Sequence, residues 1–95
     1  MSAYVIADVT VTDAEQMAKY REWSTKAAAE FGASFIVRGG AITVLEGDWQ
    51  PSRVVILQFP SSDVAKKWYA GETYQHAITL RKNAGVMRIV MVEGV

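Results

Sequence analysis

The sequence predicts an α+β fold of ferredoxin-like type: a split βαβ arrangement with one antiparallel sheet and a broken second helix. Segments rich in β-branched residues alternate with segments of helical periodicity in the order β-α-β-β-α-β. The length of 95 residues suits a single domain over residues 1–95. Two strands are apolar at successive positions, which is typical of a sheet that is covered on both faces.

The first strand and the first helix are predicted from residues 3–32. Residues 3–11 are rich in β-branched types and predict a strand. Thr12 to Glu15 have the pattern of a capping box, which opens a helix, and Gly32 is expected to end it. The residues that fall on one helical face, and are therefore expected to be buried, are Met17, Tyr20, Ser24, Ala27, Ala28 and Phe31.

A glycine pair interrupts the second extended segment, residues 34–46. Gly39 and Gly40 predict a bulge, a bend or a tight turn within a strand. We predict one long strand bent at the glycines, with a small extra hairpin as the alternative. Residues 53–59 then form the next strand, and we expect it to run antiparallel to residues 42–46.

The second half of the chain predicts a broken helix followed by a last strand. A helix begins in the segment 60–63, and Gly71 interrupts it. A second helical piece covers about residues 73–84, and Gly85 is expected to end it. Residues 86–92 form the last strand.

The apolar content predicts a homodimer. The composition is 51% hydrophobic, although a chain of this length has little interior. Residues 54–57 and 89–92 are apolar at every position, while two helices can cover only one face of the sheet. A second copy of the chain is the simplest cover for the other face.

Several classes of partner and site are not expected. Ten basic and ten acidic residues are scattered along the chain, so we expect neither nucleic acid nor a membrane surface as partner. The chain has no cysteine and one histidine, which leaves too few ligands for a protein metal site. No dinucleotide or phosphate-binding motif is present, and no cofactor is expected. Residues 1–11 are not typical of a signal peptide and no apolar run is long enough to span a membrane, so a cytoplasmic location is expected.

Charged residues within the predicted strands are the first candidates for a ligand site. Asp8 and Arg38 interrupt apolar strands, and Arg81 lies on the covered stripe of the last helix. Arg38 could bind a carboxylate through its planar fork, while Gly39 and Gly40 would allow the backbone to approach a ligand. Alternatively, Asp8 and an arginine form an ion pair at a sheet edge or dimer seam, and Arg81 extends past apolar neighbours to solvent.

His76 is the one candidate for a general base. Histidine is the one type of side chain that commonly changes charge near neutral pH, as a general base must. However, its helical position is offset from the stripe formed by Tyr74, Ile78 and Arg81, which is typical of a solvated surface residue.

The chain also resembles a known family. The short motifs that carry the resemblance are Arg38-Gly39-Gly40, residues 45–49, residues 59–61, residues 74–81 and the closing residues 92–95. Their order and spacing resemble the mainly bacterial family catalogued as domain of unknown function thirteen-thirty, within the dimeric α+β barrel superfamily. The family typically has a serine at the start of the last helical piece, where this chain has Gly71.

The resemblance implies a homodimer in which two sheets face each other to form a barrel. The wider superfamily includes cofactor-free monooxygenases, muconolactone-type isomerases, haem-degrading enzymes and transcriptional ligand sensors. A shared fold alone does not identify one of these activities.

Two functions are therefore considered. The first is a small-molecule site between the sheet and the broken helix of each protomer, with Asp8, Arg38 and Arg81 as polar groups. It would bind a small acidic or aromatic compound and carry out cofactor-independent proton transfer or oxygenation, with His76 as base. The alternative is a non-catalytic metabolite-binding or regulatory dimer. Whether His76 faces the cavity distinguishes the two.

Overall fold

The computed structural model describes residues 1–95 and contains four strands and three helices. The strands are β1 (Ala3–Val11), β2 (Ser34–Arg38), β3 (Arg53–Phe59) and β4 (Gly85–Glu93). The helices are α1 (Ala14–Glu30), α2 (Ser62–Ala70) and α3 (Glu72–Leu80). The strands form one antiparallel sheet in the order β2-β3-β1-β4, which confirms the predicted α+β ferredoxin-like fold. None of the three helices has the length and apolarity to cross a membrane.

The register of β1 separates the two faces of the sheet. Val5 pairs with Leu57 of β3 and with Met91 of β4. Since side chains alternate along a strand, these odd-numbered residues share one face. The odd-numbered residues of β1 from Ala3 to Val9 are buried, while the even-numbered ones are only partly covered. The helices therefore pack on the odd-numbered face.

Helix α1 begins one residue later than the predicted capping box. Oδ1 of Asp13, not the hydroxyl of Thr12, accepts a hydrogen bond from the first turn, from the amide of Gln16 at 3.1 Å. The amides of Thr12 and Asp13 donate to the carbonyl of Ala84, which ties both residues to the end of the sheet. The predicted buried stripe is confirmed for Met17, Tyr20, Ser24, Ala27 and Ala28.

The long bent strand predicted for residues 34–46 is wrong. β2 ends at Arg38, and residues 39–52 form neither a strand nor an extra hairpin. Gly39 has a φ of +77°, and its amide donates to the carbonyl of Val54 at 3.0 Å, which closes the ladder. β3 consequently pairs with β2 and not with residues 42–46.

The broken helix is confirmed, with different ends. Gly71 is both the C-cap of α2 and the N-cap of α3. Because glycine has no side chain, α3 lacks a side-chain capping hydrogen bond. Helix α3 ends at Leu80, because residues 81–84 form a turn in which Asn83 takes a φ of 64°. Gly85 is the first residue of β4, where a Cβ would collide with the carbonyl of Thr10 on β1.

The even-numbered face of the sheet carries no helix, although the loop of residues 39–52 reaches it through Trp49. We call it the open face; its apolar residues include Ile6, Ile56, Val90 and Val92. Val90 is 57% exposed, whereas Val5 and Ala7 of β1, which point to the helix-covered face, are buried. The accessible surface is 6113 Å², more than the roughly 5,400 Å² that is usual for a folded chain of this mass. The protomer thus exposes apolar surface that a free monomer would normally bury.

Candidate functional site

A cavity lies between the odd-numbered face of the sheet and the helices. Its volume is about 50 Å³. Twelve of its sixteen lining residues are hydrophobic, and they come from strands β1 to β4 as well as from α1, α2 and α3. We call it the helix–sheet cavity. Its walls include Val5, Leu57, Met17, Trp68 and Tyr74.

Three arginines line this apolar cavity. Arg21 is on α1, Arg38 ends β2 and Arg53 begins β3. Arg38 is exposed and the other two are partly exposed, whereas the apolar walls are mostly buried. The guanidinium groups therefore lie where the cavity meets solvent.

Strand register explains how two of the arginines reach the cavity. Arg38 pairs with Val55, and Val55 pairs with Ala7 of the odd-numbered face. Arg53 precedes Val55 by two residues and shares its face.

None of the three guanidinium groups has a carboxylate partner within the protomer. The ion pairs of the chain are Lys26–Glu22 and Arg88–Asp8. Arg38 instead donates to the hydroxyl of Thr25 at 2.8 Å and lies 4.1 Å from the centre of the Phe35 ring. Because a guanidinium has five N–H donors, most of those of Arg38 are free for a ligand.

Arg53 occupies the space that Gly39 leaves. A Cβ at Gly39 would collide with the Arg53 guanidinium, whereas a Cβ at Gly40 would meet nothing within 4 Å. The backbone role predicted for the glycine pair therefore holds for Gly39. The glycine pair was expected to let a ligand approach the backbone; in the structure the side chain of Arg53 occupies that position at Gly39.

Two buried tyrosines and a tryptophan supply polar groups to the cavity wall. The hydroxyls of Tyr20 and Tyr74 are 2.7 Å apart and share one hydrogen bond. Since each hydroxyl carries one hydrogen, the pair retains one for another acceptor. The indole Nε1 of Trp68 is buried and has no hydrogen-bond partner.

Burial raises the pKa of both Tyr20 and Tyr74 above the ordinary value of tyrosine. Their hydroxyls are therefore protonated at neutral pH, and they can donate or accept hydrogen bonds. Neither hydroxyl can act as a base at that pH without a further change of environment.

The predicted convergence of Asp8 with Arg38 and Arg81 is wrong. Asp8 lies on the open face, opposite to Arg38, where its Oδ2 accepts hydrogen bonds from Arg88 at 2.7 Å and from Nε1 of Trp49 at 3.2 Å. The bond from Arg88, followed by that from Trp49, lowers the pKa of Asp8. The ion-pair alternative thus describes Asp8, with Arg88 as its partner.

Arg81 and His76 also lie outside the lining of the cavity. Arg81 caps the end of α3, where it donates to the sulfur of Met87, and its guanidinium carbon lies 5.3 Å from the centre of the Tyr20 ring. His76 is exposed on α3 and rests against Trp23, with 4.4 Å between the ring centres. No Asp, Glu or His lines the cavity.

Two residues that the sequence reasoning missed, Arg21 and Arg53, have recognisable signals. Arg53 is two residues from Val55 and four from Leu57, so strand alternation places it on the helix-covered face. Arg21 lies four residues after Met17 and three before Ser24, on the edge of the buried helical stripe. In both cases the charged residue lies at or beside a position where the sequence periodicity predicts a buried residue.

Comparison with known proteins identifies the family. The family model described as Domain of unknown function (DUF1330) matches residues 2–95. The chain belongs to this family. Among curated proteins, none is significantly similar to this DUF1330 member.

Solved structures with the same fold include three informative ones. A protein of unknown function from Rhodopseudomonas palustris superposes with a TM-score of 0.78 at 19% identity, covering 99% of this chain and 82% of that one. A variant of SnoaB, a cofactor-independent oxygenase from Streptomyces nogalater, gives a TM-score of 0.68 at 16% identity, with 98% and 92% covered. A dimeric ferredoxin-like protein of unknown function from Thermobifida fusca gives 0.64 at 15% identity, with 97% and 90% covered. At these identities the likeness establishes the fold of this DUF1330 protein.

Proposed function

We propose that the protein is a homodimer that binds a small anionic compound with an apolar, preferably aromatic, body in the helix–sheet cavity. The observation that carries the proposal is the set of arginines at this apolar cavity, none of which has a carboxylate partner. A guanidinium binds a carboxylate through two parallel hydrogen bonds, while the apolar residues beside the arginines would contact the body of the ligand.

The residues of the cavity favour binding over catalysis. Proton transfer needs a group that titrates near neutral pH within reach of the ligand. The cavity is lined by arginines, neutral tyrosines, the hydroxyl-bearing Ser24 and apolar groups, and His76 lies on the surface against Trp23. A metabolite-binding or regulatory dimer is therefore the preferred function.

A second candidate is cofactor-independent oxygenation of an aromatic compound in the same cavity. It is favoured by the shared fold of the oxygenase SnoaB. The hydroxyl pair of Tyr20 and Tyr74 could donate a hydrogen bond to an oxygen atom of such a substrate. Oxygen consumption with phenolic compounds that bind would support this candidate, and its absence would leave the binding function.

The open face supports the homodimer. It carries no helix and leaves Val90 and Val92 of β4 exposed in the protomer, and solved proteins with this fold are described as dimeric. A second copy would also enclose the pair Asp8–Arg88, so that its charges compensate each other inside the interface. An obligate interface of this kind buries about 2,000 Å² or more in total.

Calorimetric titration with benzoate tests the proposed binding. Benzamide is the matched neutral control, because it has the same ring and nearly the same shape. We expect benzoate to bind the wild-type protein, benzamide to bind at least about tenfold more weakly, and Arg38→Met to lose benzoate binding. Equal affinity for the two compounds, or full benzoate binding by Arg38→Met, would contradict an anion site at Arg38.

A further inference from the structure

We infer that the three-arginine rim of the helix–sheet cavity, formed by Arg21, Arg38 and Arg53, selects a head group with two negative charges, a dicarboxylate or a phosphate monoester. This inference rests on the proposed binding function and specifies its ligand class. Of these three arginines, only Arg38 was expected from the sequence to bind the ligand. The three guanidinium groups together carry three positive charges, two more than a head group with one negative charge could neutralise.

Thr25 links the side chain of Arg38 to the backbone of Arg21. Arg38 donates to Oγ1 of Thr25, and that hydroxyl donates to the backbone carbonyl of Arg21 at 2.7 Å. The contact holds the guanidinium of Arg38 against the turn of α1 that carries Arg21. The position of Arg38 is thus set by a neutral partner, and its charge is not compensated.

The glycine after Arg38 brings in the third guanidinium. Arg53 lies in the space beside Gly39 where any other residue would place a Cβ. Gly39 directly follows Arg38, so the Arg53 guanidinium lies next to the point where the chain leaves the sheet after Arg38. The positive φ of Gly39 produces this arrangement.

Three positive charges at one site repel each other unless an anion lies between them. Solvent at the rim weakens this repulsion, but the apolar wall beside the three groups leaves it less screened than it would be in bulk water. A single carboxylate can form a two-point contact with one guanidinium and leaves the other two charges uncompensated. A dianion offers enough oxygen atoms and charge to engage at least two of the three arginines.

The inner end of the cavity adds a second requirement. The spare hydrogen of the Tyr20–Tyr74 pair is a donor in the wall of this cavity. A buried donor without a partner costs free energy, which an acceptor on the ligand would recover. The preferred ligand therefore has a charged head at the rim and a small body that carries an acceptor.

Calorimetric titration of the full chain with four related probes tests the inference. The probes are phthalate as dicarboxylate, phenyl phosphate as phosphate monoester, benzoate as monoanion and benzamide as neutral ring. We expect at least one dianion to bind about tenfold or more tightly than benzoate. The dianion that binds more tightly shows whether the rim prefers a dicarboxylate or a phosphate monoester.

Matched variants connect the preference to the rim. Arg53→Gln and Arg21→Gln should each reduce the ratio of dianion to benzoate affinity to less than about threefold. Lys19→Gln removes the same charge from an exposed position of α1 and should keep the wild-type ratio. Circular dichroism spectra equal to that of the wild type establish that the variants are folded.

The outcomes separate the two proposals. If benzoate binds at Arg38 as tightly as both dianions, the inferred selectivity is wrong while the proposed function stands. If none of the three anions binds, the proposed function itself fails. If Arg53→Gln and Lys19→Gln lower the ratio equally, general surface charge and not the rim accounts for the preference.

Discussion

Gly39 makes room for the guanidinium group of Arg53. The backbone of Gly39 has a φ of +77°, and a Cβ there would collide with that guanidinium. One residue thereby ends strand β2, turns the chain out of the sheet and admits a charged group to the edge of the cavity.

Replacing Gly39 by alanine or valine should destabilise the protein. The strained backbone and the displaced Arg53 should together cost about 1–3 kcal/mol of the free energy of unfolding, measured by denaturant titration. Gly40→Ala is the matched control, because its Cβ would meet open space, and its effect should stay within about 0.5 kcal/mol. Equal effects at the two glycines would contradict this account.

Arg38→Met should leave the melting temperature nearly unchanged. Arg38 is exposed and has no ion-pair partner, so its replacement strands no buried carboxylate. We expect a change within about 0.5 kcal/mol in the free energy of unfolding. A loss of several kcal/mol would mean that Arg38 has a structural role in place of a binding one.

Asp8→Asn should remove an acid-dependent part of the stability. Arg88 and Trp49 lower the pKa of Asp8, so its carboxylate stabilises the folded state above the unfolded pKa, and the contribution disappears as the pH falls through the lowered folded value. The melting temperatures of wild type and variant should therefore differ at neutral pH and converge below about pH 4. A constant difference down to strongly acidic pH would contradict the assignment.

The Tyr20–Tyr74 pair should behave as one unit. Tyr20→Phe or Tyr74→Phe leaves the other hydroxyl buried without a partner and should cost about 1–3 kcal/mol. The double variant should cost less than the sum of the single variants, as a double-mutant cycle in denaturant would measure. Because burial raises both pKa values, this stability persists below the ordinary pKa of about 10 and declines above it. Strict additivity would mean that the hydroxyls do not interact.

Light scattering should give a mass near twice the chain mass of 10.5 kDa at micromolar concentration. Val90→Lys on the open face should dissociate or unfold this dimer, because it buries an unpaired charge. Ala18→Lys, on the exposed side of α1, should leave the mass unchanged. A wild-type mass equal to that of one chain would contradict the dimer.

The alternation of β1 and the buried stripe of α1 could be predicted because each pattern is satisfied within the protomer. Ile42 and Val44 alternate in the same way but remain exposed in the segment 39–52, so their pattern led to a strand that the protomer does not form. A sequence pattern does not tell which chain covers an apolar residue.

Which charged residues meet at the candidate site depends on the face of the sheet to which each strand residue points. Asp8 and Arg38 both interrupt apolar strands, which made them appear as one polar cluster, but the register places them on opposite faces. Arg53 could have been found from its spacing to Val55. The register shift between Phe35 and Val37 could not, and it decides on which face Arg38 lies.

Nuclear magnetic resonance mapping of benzoate and phthalate binding tests the central claim most directly. We predict that the indole N–H signal of Trp68 and the amides of Arg21, Arg38 and Arg53 shift on titration, since these residues line the cavity. The indole signal of Trp49, which is bonded to Asp8 on the open face, should stay in place. Shifts confined to Trp49 and the open face, with Trp68 unchanged, would contradict a ligand site in the helix–sheet cavity.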